Sequence, residues 1–224
     1  MSAPHLPQTK ALWRLFTRSL FPLPSTDTLF NPYADDLPGI DRRGGASRRR
    51  RNLRAYLGSF DAPLDLLVVG EAIGYRGGRF TGVPLSSERL LLDRTLFPFE
   101  TLPTSRHSPY GEPTATVLWG VLGPYRSRVL CWNVVPLHPH AAGQPLTNRT
   151  PTVRETRAFL PLLQAVYSRA QVQQVVALGN QAAAALTELG IVHVKVRHPA
   201  NGGVTAFRRG MQPVVAWLEQ TKES

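Results

Sequence analysis

Four short stretches of the chain are almost continuously apolar and rich in β-branched residues: 66–69, 129–132, 175–178 and 192–196. Strands buried on both faces carry this pattern, whereas half-exposed strands alternate. Around them the apolar positions recur at helical spacing. Residues 11–20 place Leu12, Leu15, Phe16 and Leu20 on one face, and Phe21-Pro22-Leu23-Pro24 ends that segment. A second helix is predicted over 86–96. A third, over 152–169, has Thr152 at its start and Glu155 three residues on, the spacing of a reciprocal capping box. Residues 180–189 are alanine-rich and stop at Gly190, and a last helix covers 211–220. Strand and helix alternate from Asp65 onward. The expected fold is therefore α/β, with a central, mainly parallel four-stranded sheet flanked by helices.

The first 60 residues break this rhythm. Seven arginines fall between Arg42 and Arg54, which reads as a phosphate-contacting arm or as a solvated linker. Residues 102–113, rich in Pro, Ser and Thr, read as a long surface loop. At 224 residues the chain suits one substantial core. We expect a single domain over 1–224, with 1–60 a basic extension packed on or linked to it.

Charge narrows the partner. The formal net charge is +11, and lysine occurs only at Lys10, Lys195 and Lys222, so arginine carries nearly all of the excess. Guanidinium pairs with phosphate through two parallel hydrogen bonds, which points to nucleic acid. No apolar run is long enough to cross a bilayer, and the first residues lack the layout of a secretory signal. One cysteine, Cys131, allows neither an internal disulfide nor a thiolate cluster. A cytosolic monomer without metal or cofactor is expected.

Three segments follow the predicted strands: Gly70-Glu71-Ala72-Ile73-Gly74, Asn133, and His198-Pro199-Ala200-Asn201-Gly202-Gly203. In an open α/β sheet the carboxyl ends of the strands line one crevice, where ligands bind. The glycine turn does not have the Gly-x-Gly-x-x-Gly order of a dinucleotide site, and Pro84 interrupts the expected crossover helix. A phosphate-loop or cofactor protein is therefore disfavoured.

Six segments in order carry a resemblance. They are Gly70-Glu71-Ala72-Ile73-Gly74, Thr81-Gly82-Val83-Pro84, Trp132-Asn133-Val134-Val135, Asn148-Arg149-Thr150-Pro151-Thr152, Ala177-Leu178-Gly179-Asn180-Gln181-Ala182-Ala183 and His198-Pro199-Ala200. Together they resemble the uracil-DNA glycosylase superfamily, nearest its iron–sulfur class, over roughly residues 65 to 220. The resemblance implies hydrolysis of the N-glycosidic bond of uracil in single- or double-stranded DNA, leaving an abasic site for base excision repair. It assigns Asn133 to reading the base edge, His198 to holding charge on the departing base, and Glu71 to positioning water or clamping the base. Gly70, Ala72, Ile73, Gly74, Tyr75 and Leu85 would complete the base pocket. Arg197, Asn201, Gly202, Gly203, Arg208 and Arg209 would meet DNA.

The chain also departs from the family. Ala72 stands where the best-known class has a water-positioning Asp, and Gly74 where that class has a Tyr that excludes thymine; Tyr75 is adjacent. Leu85 replaces the usual stacking Phe, a role Phe80 could take, and no leucine wedge follows His198. The four cluster cysteines are absent. Among the remaining histidines, His193 reads as structural, while His138 and His140 could face DNA. No lysine lies in the motifs, so a Schiff base and strand cleavage are not expected. Two alternatives stay open: a DNA-binding member with little or no excision, and a glycosylase for another deaminated base such as hypoxanthine or xanthine.

Overall fold

All four predicted strands form and pair in parallel. The computed structural model describes residues 4–221. In chain order its elements are α1 (Pro7–Ser19), β1 (Leu29–Phe30), α2 (Gly45–Gly58), β2 (Leu66–Ala72), α3 (Gly78–Thr81), α4 (Glu88–Leu92) and α5 (Pro113–Leu122). A 3-10 turn (Gly123–Arg128) leads into β3 (Val129–Val135) and β4 (His138–Pro139). Then come α6 (Val153–Ala170), β5 (Gln174–Leu178), α7 (Asn180–Glu188), β6 (Val194–Val196) and α8 (Val204–Gln220).

The sheet order is β3-β2-β5-β6. The chain leaves β2 to one side for β3 and later returns to its other side for β5, so the order reverses at β2. The carboxyl end of β2 is thus the switch point where such sheets open a crevice. Register puts Gly70 opposite Asn133 there. Every residue of β3 is buried, as the apolar run 129–132 requires, and so is the polar Asn133. Cys131, within it, lies beneath the Tyr56 hydroxyl, which accepts the Cys131 N–H at 3.0 Å. The capping box of α6 is present, with Thr152 and Glu155 bonded reciprocally.

Two elements differ from expectation. The arginine run is neither arm nor linker: it forms most of α2, with Leu53, Ala55, Tyr56 and Leu57 buried behind it. Arg49 is itself buried and paired with Asp36 and Asp41. The segment before residue 60 packs on the sheet, where Phe16 stacks on Trp132 at 4.3 Å. The second difference is α5, which begins within one residue of the predicted loop's end. Pro113 sits in its first turn, where a missing N–H costs nothing. Smaller shifts occur at element ends: α4 is shorter than predicted, α8 longer, and Val192 is exposed ahead of β6.

Candidate active site

At the switch point Gly70 lets two side chains close in on the backbone. A Cβ there would lie 2.8 Å from Asn133 Nδ2 and 3.1 Å from Leu85 Cδ2. The close approach lets the Asn133 amide lie across β2. Its Nδ2 donates to Ala72 O at 3.2 Å, while its Oδ1 is buried without a partner. An unmet buried acceptor costs about 1–3 kcal/mol, and Asn133 is among the residues that line the crevice. The second Nδ2 hydrogen remains available as a donor.

His198 follows β6 and is half-buried. The Ala200 N–H donates to its Nδ1 at 3.1 Å. Burial, and secondarily the charge of Arg197, hold its pKa below the ordinary histidine value. The ring is therefore neutral at neutral pH, and its proton sits on Nε2. Gly203 makes the loop possible, since a Cβ there would meet His198 O at 2.1 Å.

Glu71 is half-buried, and burial raises its carboxyl pKa; a hydrogen bond with Thr150 offsets this only in part. One carboxylate oxygen, Oε1, has no partner. Glu71 is thus a stronger base than a surface glutamate and has a free lone pair.

These three groups share one cavity of about 380 Å³, lined also by Ala72, Ile73, Gly74 and Leu85. Leu85 adopts a left-handed φ of 50°, and its carbonyl accepts Trp119 Nε1–H at 2.8 Å. A branched side chain in that region is uncommon and costs on the order of 1 kcal/mol. It places the Leu85 side chain over Gly70 as one wall of the pocket.

A sequence profile described as the Uracil DNA glycosylase superfamily matches residues 57–220. The chain belongs to that superfamily. Its structure is similar to the crystal structure of SMUG2 from Pedobacter heparinus, with a TM-score of 0.70 and 13% identity. That match covers 98% of this chain and 100% of the other. No curated protein matches the sequence. Membership makes the protein a DNA glycosylase by class, and no helix among the described residues is long and apolar enough to cross a membrane.

Other predicted residues fall differently. Gly70 lies behind the pocket wall rather than in the lining. The Tyr75 side chain is also outside it: Arg76 Nε donates to its hydroxyl at 2.7 Å, and its ring meets Tyr110 edge-on. It serves the site through its backbone, whose N–H donates to Asn148 Oδ1 at 2.9 Å. Phe80 is buried and stacked on Tyr110, so it does not take the place of the stacking aromatic. His138 does not face DNA. It is buried, with Nδ1 2.9 Å from Ile73 O and Nε2 3.2 Å from Pro145 O. Burial pushes its pKa down to about 4, so the neutral ring donates to one of the two. His140 is also buried, bonded to Ala141 O.

Residues 148–150 join the lining, as does Glu112, which no motif singled out. The Asn-Arg-Thr motif was visible, but its geometry was not: Arg149 is held by Glu155 through both terminal nitrogens. Glu112 caps α5 through Thr114 N–H and lies over Gly74.

On the expected DNA side, Arg197 and Asn201 line an adjoining cavity of about 770 Å³ that shares Glu71, His198 and Ala200 with the first. Asn201 and Gly202 take successive left-handed conformations, φ 52° and 75°. Arg208 and Arg209 are exposed on α8, outside both linings. Lys195 also lines the adjoining cavity. Strand topology, not the motif order, brings this lysine near the site.

The residues do not fit a four-thiolate iron–sulfur cluster. Cys131 is the only cysteine, it is buried in β3, and burial pushes its thiol pKa far up. Among the described residues no group of three or more His, Cys, Asp or Glu is placed to hold a metal.

Proposed function

We propose that the protein hydrolyses the N-glycosidic bond of uracil in DNA and leaves an abasic site. The observation that carries this reading is that Asn133, whose buried Oδ1 has no partner in the chain, and a neutral His198 line one cavity. Asn133 offers an acceptor for uracil N3–H and a remaining amide hydrogen for O4. Cytosine presents the opposite pattern and would leave both groups unmet.

His198 Nε2–H donates to uracil O2 as the C1′–N1 bond breaks and negative charge gathers on the base. A fixed donor that meets charge only in the transition state lowers the barrier. The raised basicity of Glu71 suits it to take a proton from the water that adds its oxygen to C1′, and the departing base is protonated afterwards. Ala72 supplies only its carbonyl, which orients Asn133. The extruded nucleotide rests on Leu85. Arg197, Asn201, Gly202 and Gly203 would support the flanking strand, with Arg208 and Arg209 contributing phosphate contacts.

A second reading, a pocket for a deaminated purine, is favoured by Glu112. Its carboxylate over Gly74 offers an acceptor beyond the one that uracil's single ring N–H uses, as xanthine with its two ring N–H groups would need. Oligonucleotides carrying uracil, hypoxanthine or xanthine, single-stranded and duplex, test both readings through alkaline cleavage of the abasic product. Uracil excision is the expected result. Excision of neither class, with DNA still bound, would overturn both. Borohydride trapping of a covalent complex through Lys195 would contradict simple hydrolysis.

A further inference from the structure

The arginine-rich helix has a part that neither the pocket nor the core uses. Arg49 is committed to Asp36 and Asp41, and Arg42 Nε donates to Ser105 O at 2.8 Å. Arg50, Arg51 and Arg54 instead line a groove of about 530 Å³ between α1 and α2, with Trp13, Phe21 and Ser47. The Arg50 guanidinium lies 5.9 Å over the Phe21 ring, and that of Arg54 lies 5.7 Å over Trp13. None of the three pairs with a carboxylate among the described residues.

We propose that this groove is a second DNA-backbone surface, which grips duplex beyond the nucleotide held in the pocket. The inference rests on the glycosylase reading for its choice of DNA. Like charges one helical turn apart repel, and here no acidic side chain relieves them. Aromatic rings hold two guanidiniums by their faces; Arg50 Nη1 donates to Tyr33 O at 2.9 Å, while the edge of Arg54 is left for phosphate oxygens, which such an edge meets in pairs. A polyanion supplies the missing counter-charge and releases its own condensed ions on binding.

Placement links the groove to the pocket. Asn52 of α2 donates to Thr81 O at 2.9 Å, and Tyr33 OH donates to Gly82 O at 2.9 Å. Gly82 itself sits against the α2 backbone, where a Cβ would lie 2.5 Å from Arg49 O. The helix that carries the three arginines is thus fastened to the segment that leads into Leu85. Phosphates bound in the groove would be held in fixed relation to the crevice.

The test compares Arg51→Gln/Arg54→Gln in the full chain with the parent, by fluorescence anisotropy on undamaged DNA. The probes are a duplex of about 30 base pairs and one of about 7. On the long duplex, affinity should fall roughly tenfold near physiological salt. The slope of log K against log salt should shrink by about two, as the loss of two phosphate contacts requires. The short duplex should bind both proteins equally. Ser47→Glu, which brings a carboxylate to the groove without removing an arginine, should weaken the long duplex likewise. Unchanged affinity and slope in both variants, or equal weakening on both lengths, would overturn the proposal. Since the readout is binding to undamaged DNA, failure to excise uracil would defeat the reading of the pocket and leave this result standing.

Discussion

The cluster of Asp41, Arg49 and Arg79 and the pocket of Glu71, Asn133 and His198 both hold polar side chains away from water, but they treat them differently. In the cluster, Asp41 receives both terminal nitrogens of Arg79 and one of Arg49, and its Oδ2 also accepts Leu37 N–H at 2.8 Å. Arg49 reaches on to Asp36 at 3.0 Å, and Arg79 lies over the Phe80 ring at 4.3 Å. In the pocket, Asn133 Oδ1 and Glu71 Oε1 have no partner. Paired buried charge fastens the loop at 36–41 to α2 and α3. Unpaired buried polarity carries a standing cost until a water or a ligand meets it. Burial alone therefore does not mark function. Nor does one unmet atom, since Arg79 Nε in the cluster, Trp132 Nε1 and Gln174 Oε1 also lack partners; the pocket differs in bringing two residues with unmet acceptors to one cavity.

The contrast can be broken from the cluster side first. Asp41→Asn leaves two buried guanidiniums short of charge and should destabilise the fold by about 3–5 kcal/mol. Urea denaturation would measure this, while excision by the folded fraction should stay near the parent rate. From the pocket side, His198→Ala and Asn133→Ala should each lower single-turnover excision of uracil about 10²–10³-fold. Their unfolding midpoints should hardly move, or should rise for Asn133. A large loss of stability in either would place these residues with the cluster instead.

Gly70→Ala tests the geometry without removing a functional group. The new methyl must displace the Asn133 amide or Leu85, and excision should fall on the order of tenfold to a hundredfold with the fold intact. The smallest effect concerns Glu71. Its folded pKa is raised by burial, so its ionised form accumulates only above the usual carboxylate range. Excision should therefore rise with pH through that raised pKa, and Glu71→Gln should flatten this acid limb while slowing the reaction. The stability effect has the opposite sign. A raised folded pKa contributes stability below the unfolded pKa, and that contribution is lost as pH rises through the folded one. At neutral pH Glu71→Gln should therefore raise Tm by something of the order of a degree.

The strands were legible because burial on both faces leaves an unmistakable apolar run, and their carboxyl ends located Glu71, Asn133 and His198. The arginine run was misread because its charges hide the periodicity of Leu53, Tyr56 and Leu57, and because the partners of Arg49 lie some ten residues upstream. Glu112 was invisible for a related reason. It is a lone carboxylate in a proline-rich stretch, made relevant only when α5 brings it over Gly74. Tyr75 shows the reverse: adjacency in sequence suggested a wall of the pocket, but Arg76 and Tyr110 hold the ring elsewhere. Side-chain direction after a turn depends on such neighbours, and spacing does not encode it.

Cys131 gives the molecule a built-in reporter. It is the chain's only thiol, sealed in β3 two residues before Asn133, with its ionisation strongly suppressed by burial. A thiol reagent can modify it only when the central sheet opens. The labelling rate thus times the breathing of the strand that carries the base-reading amide. It needs no engineered probe, and it can be followed with DNA bound or absent.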